Sequence, residues 1–303
     1  MNGWESVINL HLFFGTASKA TPLLLAALGG LWSERSGVIN FALEGMMLVG
    51  AFAAVWGCYV TGSPWVGLAC AAGAGMALAA LHASASLHLR VNQIVSAMAL
   101  NILALGLTGA LLQWVFGTVA NSPSVAKLPR LSLGGGQVGL LCVVAVLVAA
   151  GSWLVLYRSR WGLEVRATGE NPEAARAMGV PAWRVKWTCV LAGGVLAGLA
   201  GAHISTSELS LFREGMTNGR GYMALAAVIF GRWRPRGVVL ACVLFGLADA
   251  LGENLQGVSL AGWQVPGEWG LMVPFVVTLA ALAGLVGRSV PPAGLGRLPE
   301  LEG

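Results

Sequence analysis

Residues 138–157, VGLLCVVAVLVAAGSWLVLY, form an unbroken apolar run without a charge, followed at once by Arg158 and Arg160. A helix needs roughly 20 such residues to cross the hydrocarbon of a bilayer. One that is apolar on every side has no face to offer water. Comparable runs cover residues 10–32, 41–60, 65–87, 91–115, 185–204, 238–255 and 269–286. A ninth run, 222–230, is too short for a straight span. With 56% of residues hydrophobic and only 10% charged, a single water-soluble core is excluded. The sequence predicts an all-α fold: a polytopic membrane helical bundle of about eight to ten transmembrane segments, one of them short or broken.

The distribution of basic residues orients the bundle, because Lys and Arg collect in cytoplasmic loops. The loop carrying Arg158, Arg160, Arg166, Arg176, Arg184 and Lys186 is placed in the cytosol. Alternation of the spans then brings Arg35, Arg90, Arg232, Arg234, Arg236, Arg288 and Arg297 to the same side. Lys127, Arg130, Arg213 and Arg220 fall outside, and Lys19 lies within a span. This arrangement requires the short run to cross, alone or with the help of residues 217–220. It puts the N-terminus outside and the C-terminus inside. Lys19 is the first positive charge, so the basic start of a cleaved signal peptide is missing and the first run is expected to stay in the mature protein.

No linker is polar and long enough to join separate folded units, so residues 1–290 are read as one membrane domain and 291–303 as a disordered cytoplasmic tail. The longest external connection, 117–137, contains Pro123, Pro129 and three glycines at 134–136, which read as a turn and not as a phosphate cradle. Gly194 and Gly198, four residues apart with Gly201 nearby, suit close helix packing.

Catalytic patterns are missing. The three lysines, Lys19, Lys127 and Lys186, follow no phosphate-loop glycine pattern, so ATP hydrolysis is not expected on this chain. His11, His82, His88 and His203 are dispersed, and the five cysteines lie singly in apolar runs, which argues against a metal site, a disulfide framework or a cofactor. No nucleophile is paired with a base. Scattered single arginines make a poor phosphate-tracking patch, so nucleic acid is not an expected partner. Membrane lipid is.

Between two apolar runs lies GENPEAARAMG, residues 169–179. Asn171 suits a cap, Pro172 the first helical position, Glu173 the positive dipole end, Arg176 the following turn and Gly179 a left-handed stop. A short rigid helix on the basic face is either an ordinary loop helix or a handle for a soluble partner.

Polar residues inside the spans are costly and usually face a cavity or another helix. Asn40 and Glu44, one turn apart, are predicted to point the same way at the start of a span. Asn92, Ser96 and Asn101 are predicted to share a face of the next-but-one span. The half-length run begins with Arg220 and Tyr222 and reads as a candidate gate beside a solute path. Asp249 lies inside the following span with Glu253 one turn on, and Lys19 or Arg220 are the available counter-charges. Tyr222 and Trp114 could stack on a base, although most of the twelve tryptophans suit interfacial anchoring.

These stretches together, SERSGVINFALEGMM at 33–47, NILALGLTG at 101–109, residues 169–179 and GRGYMALAAVIFG at 219–231, resemble the permease subunits of bacterial ATP-binding cassette (ABC) importers of the branched-chain amino acid, ribose and nucleoside superfamily, nearest its nucleoside or simple-sugar branch. The resemblance implies a chain of the bacterial cytoplasmic (inner) membrane that pairs with a second permease chain, identical or related. It also implies two cytosolic ABC ATPase subunits and an external solute-binding lipoprotein. On the same grounds Glu170, Asn171, Pro172, Glu173, Ala174, Ala175, Arg176 and Gly179 would form the ATPase-coupling helix. An ion-coupled secondary transporter using Glu44 and Asp249 is the alternative reading of the same polar groups, and a membrane-embedded enzyme or assembly factor a third.

Overall fold

The computed structural model describes residues 10–133, 136–255, 259–260, 263–264, 272, 276 and 289–297. Seven helices, counted among the described residues, are long and apolar enough to cross a membrane. They are α1 (Leu10–Arg35), α2 (Leu43–Thr61), α3 (Pro64–Ala83, continued by a π-helical turn, Ser84–His88), α4 (Gln93–Phe116) and α5 (Leu140–Arg158), followed by two more. Between α4 and α5 the strands β1 (Arg130–Leu133) and β2 (Gly136–Gly139) form an antiparallel hairpin, with Arg130 opposite Gly139. After α5 come two shorter helices, α6 (Arg160–Glu170) and α7 (Pro172–Ala177). Next are the span α8 (Ala182–Ala202, extended by a π-helical turn, His203–Leu209), the half-length α9 (Arg220–Phe230) and the last described span, α10 (Pro235–Leu255). A two-residue hairpin, β3 (Ser259–Leu260) with β4 (Trp263–Gln264), follows. The apolar run expected at 269–286 lies outside the described residues.

The core sits around α1 and α8. Leu23, Leu25, Leu28 and Leu31 of α1 are fully buried and point to different sides, so this helix is enclosed all round. It packs on α8, α9, α10 and α5, while α8 also packs on α2 and α3. Close approach depends on glycine. A Cβ on Gly198 would strike the carbonyl of Ala71 in α3, and one on Gly193 would come within 2.7 Å of the Gly29 carbonyl in α1. The sequence spacing of Gly194 and Gly198 thus becomes one contact line against α3, where both abut Gly75.

At the arginine-rich face α6 is fastened to the inner bundle. Trp32 stacks on Trp161 at 5.2 Å between centroids and donates its indole N–H to Ser152 Oγ of α5 at 3.0 Å. Gly169 lies against the Arg35 carbonyl, and Arg35 pairs with Glu170 at 3.4 Å.

Part of the tail departs from the sequence reading, residues 298–303 lying outside the described residues. Residues 291–297, expected to be disordered, pack on this same junction: Gly294 N–H donates to the Gly169 carbonyl at 2.8 Å, Gly296 N–H to Gly37 at 3.2 Å and Ala293 N–H to Glu170 Oε2 at 3.1 Å. Pro292 and Gly294 are buried. The bonds use main-chain groups, which is why a proline- and glycine-rich composition hid them. The end of α1 at Leu10 lies a full helix length from Arg35, so the first and last described segments occupy opposite faces of the bundle.

Gly198→Ala is expected to lower thermal stability in detergent by about 1–3 kcal/mol, the usual cost of overpacking. Gly73→Ala, where an added Cβ meets nothing within 4 Å, should be neutral or slightly stabilising. Paired melting curves of the two variants check this.

Candidate functional site

The crossing between α8 and α10 is broken. At the end away from the arginine-rich face the chain runs antiparallel to the loop after α4: Ser122 N–H donates to the Phe212 carbonyl at 2.9 Å, and Glu214 N–H to the Ala120 carbonyl at 3.2 Å. Residues 210–219 are non-helical, with positive φ at Ser210, Gly215, Asn218 and Gly219, and helix returns only at Arg220. Eleven residues of α9, about 16 Å at 1.5 Å per residue, then reach the arginine-rich face. There Trp233 donates its indole N–H to the buried carboxylate of Glu34 at 2.5 Å.

A helix that starts inside the bundle has N–H groups with no partner in its own chain segment. Glu44 supplies the missing acceptor from α2. Its Oε1 accepts from Thr217 Oγ1 at 2.6 Å and from Gly219 N–H at 2.9 Å, and its Oε2 accepts from Gly221 N–H at 2.7 Å. The negative charge also faces the positive end of the α9 dipole. Gly221 permits the approach, since a Cβ there would collide with the backbone of Glu44.

The start of α2 is itself capped by its neighbours, because Ala42 at the cap position offers no side-chain acceptor. Asn101 Oδ1 accepts from Gly45 N–H at 2.8 Å, while its Nδ2 donates to the Phe41 carbonyl at 2.9 Å and to Tyr222 Oη at 3.0 Å. Gln93 Oε1 accepts from Ile39 N–H at 2.7 Å, and His82 Nε2 lies 3.0 Å from the Ile39 carbonyl. Glu44, Asn101 and Tyr222 are therefore one junction joining α2, α4 and α9. Its outer edge is open: Glu214, Asn218 and Tyr222 are exposed, and Glu214 faces the bare Gly109 of α4.

A second polar cluster adjoins it at the beginning of α9. Lys19 of α1 pairs with Glu253 of α10 at 3.1 Å. Asp249 lies in the electrostatic field of Arg220, Lys19, Glu208 and Glu253. Glu208 accepts from Ser18 Oγ at 3.2 Å, and His203 Nε2 lies 3.2 Å from the Ser18 carbonyl. The π-helical turn His203–Leu209 brings His203 and Glu208 to this cluster. Among the described residues no group of three or more His, Cys, Asp or Glu could hold a metal.

The other sequence candidates lie elsewhere. Asn40 and Glu44 do not share a helix face: α2 begins only at Leu43, so Asn40 sits in the preceding turn, buried, donating to Ser33 Oγ at 3.2 Å. Asn92 does not share a face with Ser96 and Asn101 either, because it is the cap of α4, its exposed side chain accepting from Ile94 N–H at 2.9 Å. Ser96 is buried 3.2 Å from His82 Nδ1. Trp114 is exposed on the far end of α4. Glu214 and Asn218 were not singled out from the sequence; the signal was a polar stretch, Arg213 to Arg220, that cannot be helix in hydrocarbon unaided.

At the opposite end of the molecule stands the knob. Asn171 Oδ1 accepts from Ala174 N–H at 3.0 Å, and its own N–H donates to the Ala167 carbonyl at 2.9 Å, so one residue closes α6 and opens α7. Gly179, at φ +82°, ends the turn. Glu170 belongs to the end of α6, and Ala175 is buried against the bundle. Glu173, Ala174, Ala177 and Met178 face outwards, with Met178 85% exposed.

The chain matches the family described as "Branched-chain amino acid transport system / permease component" over residues 12–282. The guanosine ABC transporter permease protein NupQ of Bacillus subtilis is 34% identical over 95% of this chain and 95% of its own length. The nucleoside ABC transporter permease protein NupC of Lactococcus lactis is 34% identical over 91% of this chain and 92% of its own. A Haloferax volcanii protein named provisionally as the glucose ABC transporter permease TsgC13 is 41% identical over 88% of this chain and 84% of its own. With seven apolar spans among its described residues, the chain is a multi-pass membrane protein that belongs to the branched-chain amino acid transport system / permease component family.

Proposed function

We propose that this chain forms half of the translocation path of an ABC importer for a nucleoside, driven by ATP hydrolysis on separate cytosolic subunits and supplied by an external solute-binding lipoprotein. The observation that carries the reading is the α7 knob, exposed at its tip and rigidly mounted at its base. A push on Glu173 or Met178 passes through α6, held by the Trp32–Trp161 stack and the Arg35–Glu170 pair, into α1 and so into α8. That is a lever suited to rigid-body opening and closing of a bundle.

The open edge of the broken crossing supports a second permease chain. Irregular backbone at membrane depth is tolerated only against protein or a water-filled cavity, not against lipid. Residues 210–219, with exposed Glu214 and Asn218, therefore need a facing partner or a path. The tightly bonded Asn101 and Glu44 have little capacity left for solute, which fits weak binding here and tight binding in the external receptor. Tyr222, half-exposed, offers a ring on which a base can stack. The names of two relatives favour a nucleoside, and the glucose name of the third favours a simple sugar as the second reading.

The ion-coupled alternative is not favoured. Both Glu44 oxygens are occupied by three donors, and Asp249 lies beside Lys19 and Arg220.

Three outcomes follow. Met178→Asp combined with Glu173→Arg should reduce ATP-driven uptake roughly tenfold or more, the scale of a lost interface anchor, and should abolish co-purification of the ATPase while membrane insertion is unchanged; normal co-purification would refute the lever. Glu44→Gln places an amide N–H against Gly221 N–H and should cost about 2–3 kcal/mol in thermal stability. Wild-type uptake at constant ATP should not respond to ionophores that collapse proton or sodium gradients.

A further inference from the structure

The arginine-rich face holds a cavity of about 740 Å³ between α5, α6 and the turn that joins α9 to α10. Arg35, Arg166, Arg232, Arg234 and Arg236 line it, and among the described residues no acidic one does. Among the described residues, Arg232, Arg234 and Arg236 have no ion pair, and Arg35 Nε is buried without a hydrogen-bond partner.

The turn is built to present these charges. Trp233 is buried and pinned by its bond to Glu34, so Arg232 and Arg234 on either side of it are thrown outwards, and both are exposed. Arg232 and Trp233 adopt φ of +54° and +51°, a left-handed conformation that side chains rarely take without compensation. Arg236 then falls in the first turn of α10, where the helix dipole is positive and cations are disfavoured. Three guanidinium groups at a helix start, with no carboxylate among the described residues that line the cavity, favour an anion there.

The walls suit a lipid. Trp153 and Tyr157, one turn apart on α5, stand at the end of the span, where amphipathic rings meet the headgroup layer. The Arg236 guanidinium lies 4.8 Å over the Trp153 ring and that of Arg166 lies 5.1 Å over Tyr157, which orients both forks at the cavity. Along the same helix, towards the membrane interior, Val146, Leu147 and Leu154 are exposed and offer an apolar strip for acyl chains.

We propose that this cavity binds the phosphate headgroup of an anionic phospholipid in the adjoining leaflet. Guanidinium forks match phosphate oxygens bidentately, and basic pockets between transmembrane helices are suited to such headgroups. Arg35 connects the site to the knob, since it lines the cavity and also pairs with Glu170.

The test uses the full-length chain in zwitterionic detergent, with retained lipid counted by native mass spectrometry after addition of phosphatidylglycerol or phosphatidylcholine. Wild type should retain one phosphatidylglycerol in preference to phosphatidylcholine. The triple variant Arg232→Gln, Arg234→Gln, Arg236→Gln should lose that preference by about a hundredfold, and Arg234→Gln alone by about fivefold. The single variant decides the matter should the triple variant melt early in phosphatidylcholine. Arg297→Gln, on the same face but outside the cavity, should change nothing. Unchanged preference in both arginine variants would overturn the site. Full displacement of phosphatidylglycerol by millimolar inorganic phosphate would assign the cavity to a soluble phosphate, and capture of the ATPase by the wild-type but not the triple variant would assign it to protein; either result overturns the lipid assignment.

Discussion

A bilayer offers no hydrogen bonds, so a chain that breaks its helix inside one must bring its own partners. In this protein Glu44 is that partner. Its three accepted bonds hold Thr217, Gly219 and Gly221 and thereby fix where α9 starts. From that start follow the position of Tyr222 against Asn101, the place of Arg220 in the charged cluster, and the distance α9 covers to Trp233 and Glu34. Two carboxylates, Glu44 of α2 and Glu34 of α1, thus pin the two ends of the half-helix to the first two helices of the chain.

The rest of the bundle packs firmly around that crossing. α8 is gripped by α1, α2 and α3 through backbone-to-backbone glycine contacts, which leave no compressible side chains between them. Packed interfaces of this kind shift as units. α4 and α5, by contrast, present much of their apolar surface outwards. In the proposed mechanism a displacement at α7 would enter at α1 and α8 and reach the open edge formed by residues 210–222 beside α4.

Much of this was legible in the sequence because the signals were local. The seven spans counted among the described residues announced themselves as long apolar runs with at most two charges each, and Asn171, Pro172 and Gly179 each carry a conformational preference that needs no distant partner. The half-length run was readable from its length alone. What escaped depended on tertiary partners. Asn40 and Glu44 carry the helical four-residue spacing, but the helix starts between them, and one turns to Ser33 while the other turns to Gly221. Asn92, read as a path residue, is spent on its own helix start, a role that its place before an apolar run could have suggested. Residues 291–297 have the composition of a loose tail but bond through their main chain to Gly37, Gly169 and Glu170.

The central claim is that the open edge of the broken crossing lines an aqueous path and not the lipid. The direct measurement is the rate at which a membrane-impermeant maleimide labels single cysteines placed at Asn218→Cys, Tyr222→Cys and, as a lipid-facing control, Leu147→Cys in a background whose five native cysteines are replaced. Fast labelling at 218 and 222 that changes when the ATPase is trapped with nucleotide, against slow labelling at 147, is the predicted result. Labelling at 218 and 222 as slow as at 147, and indifferent to nucleotide, would contradict the account.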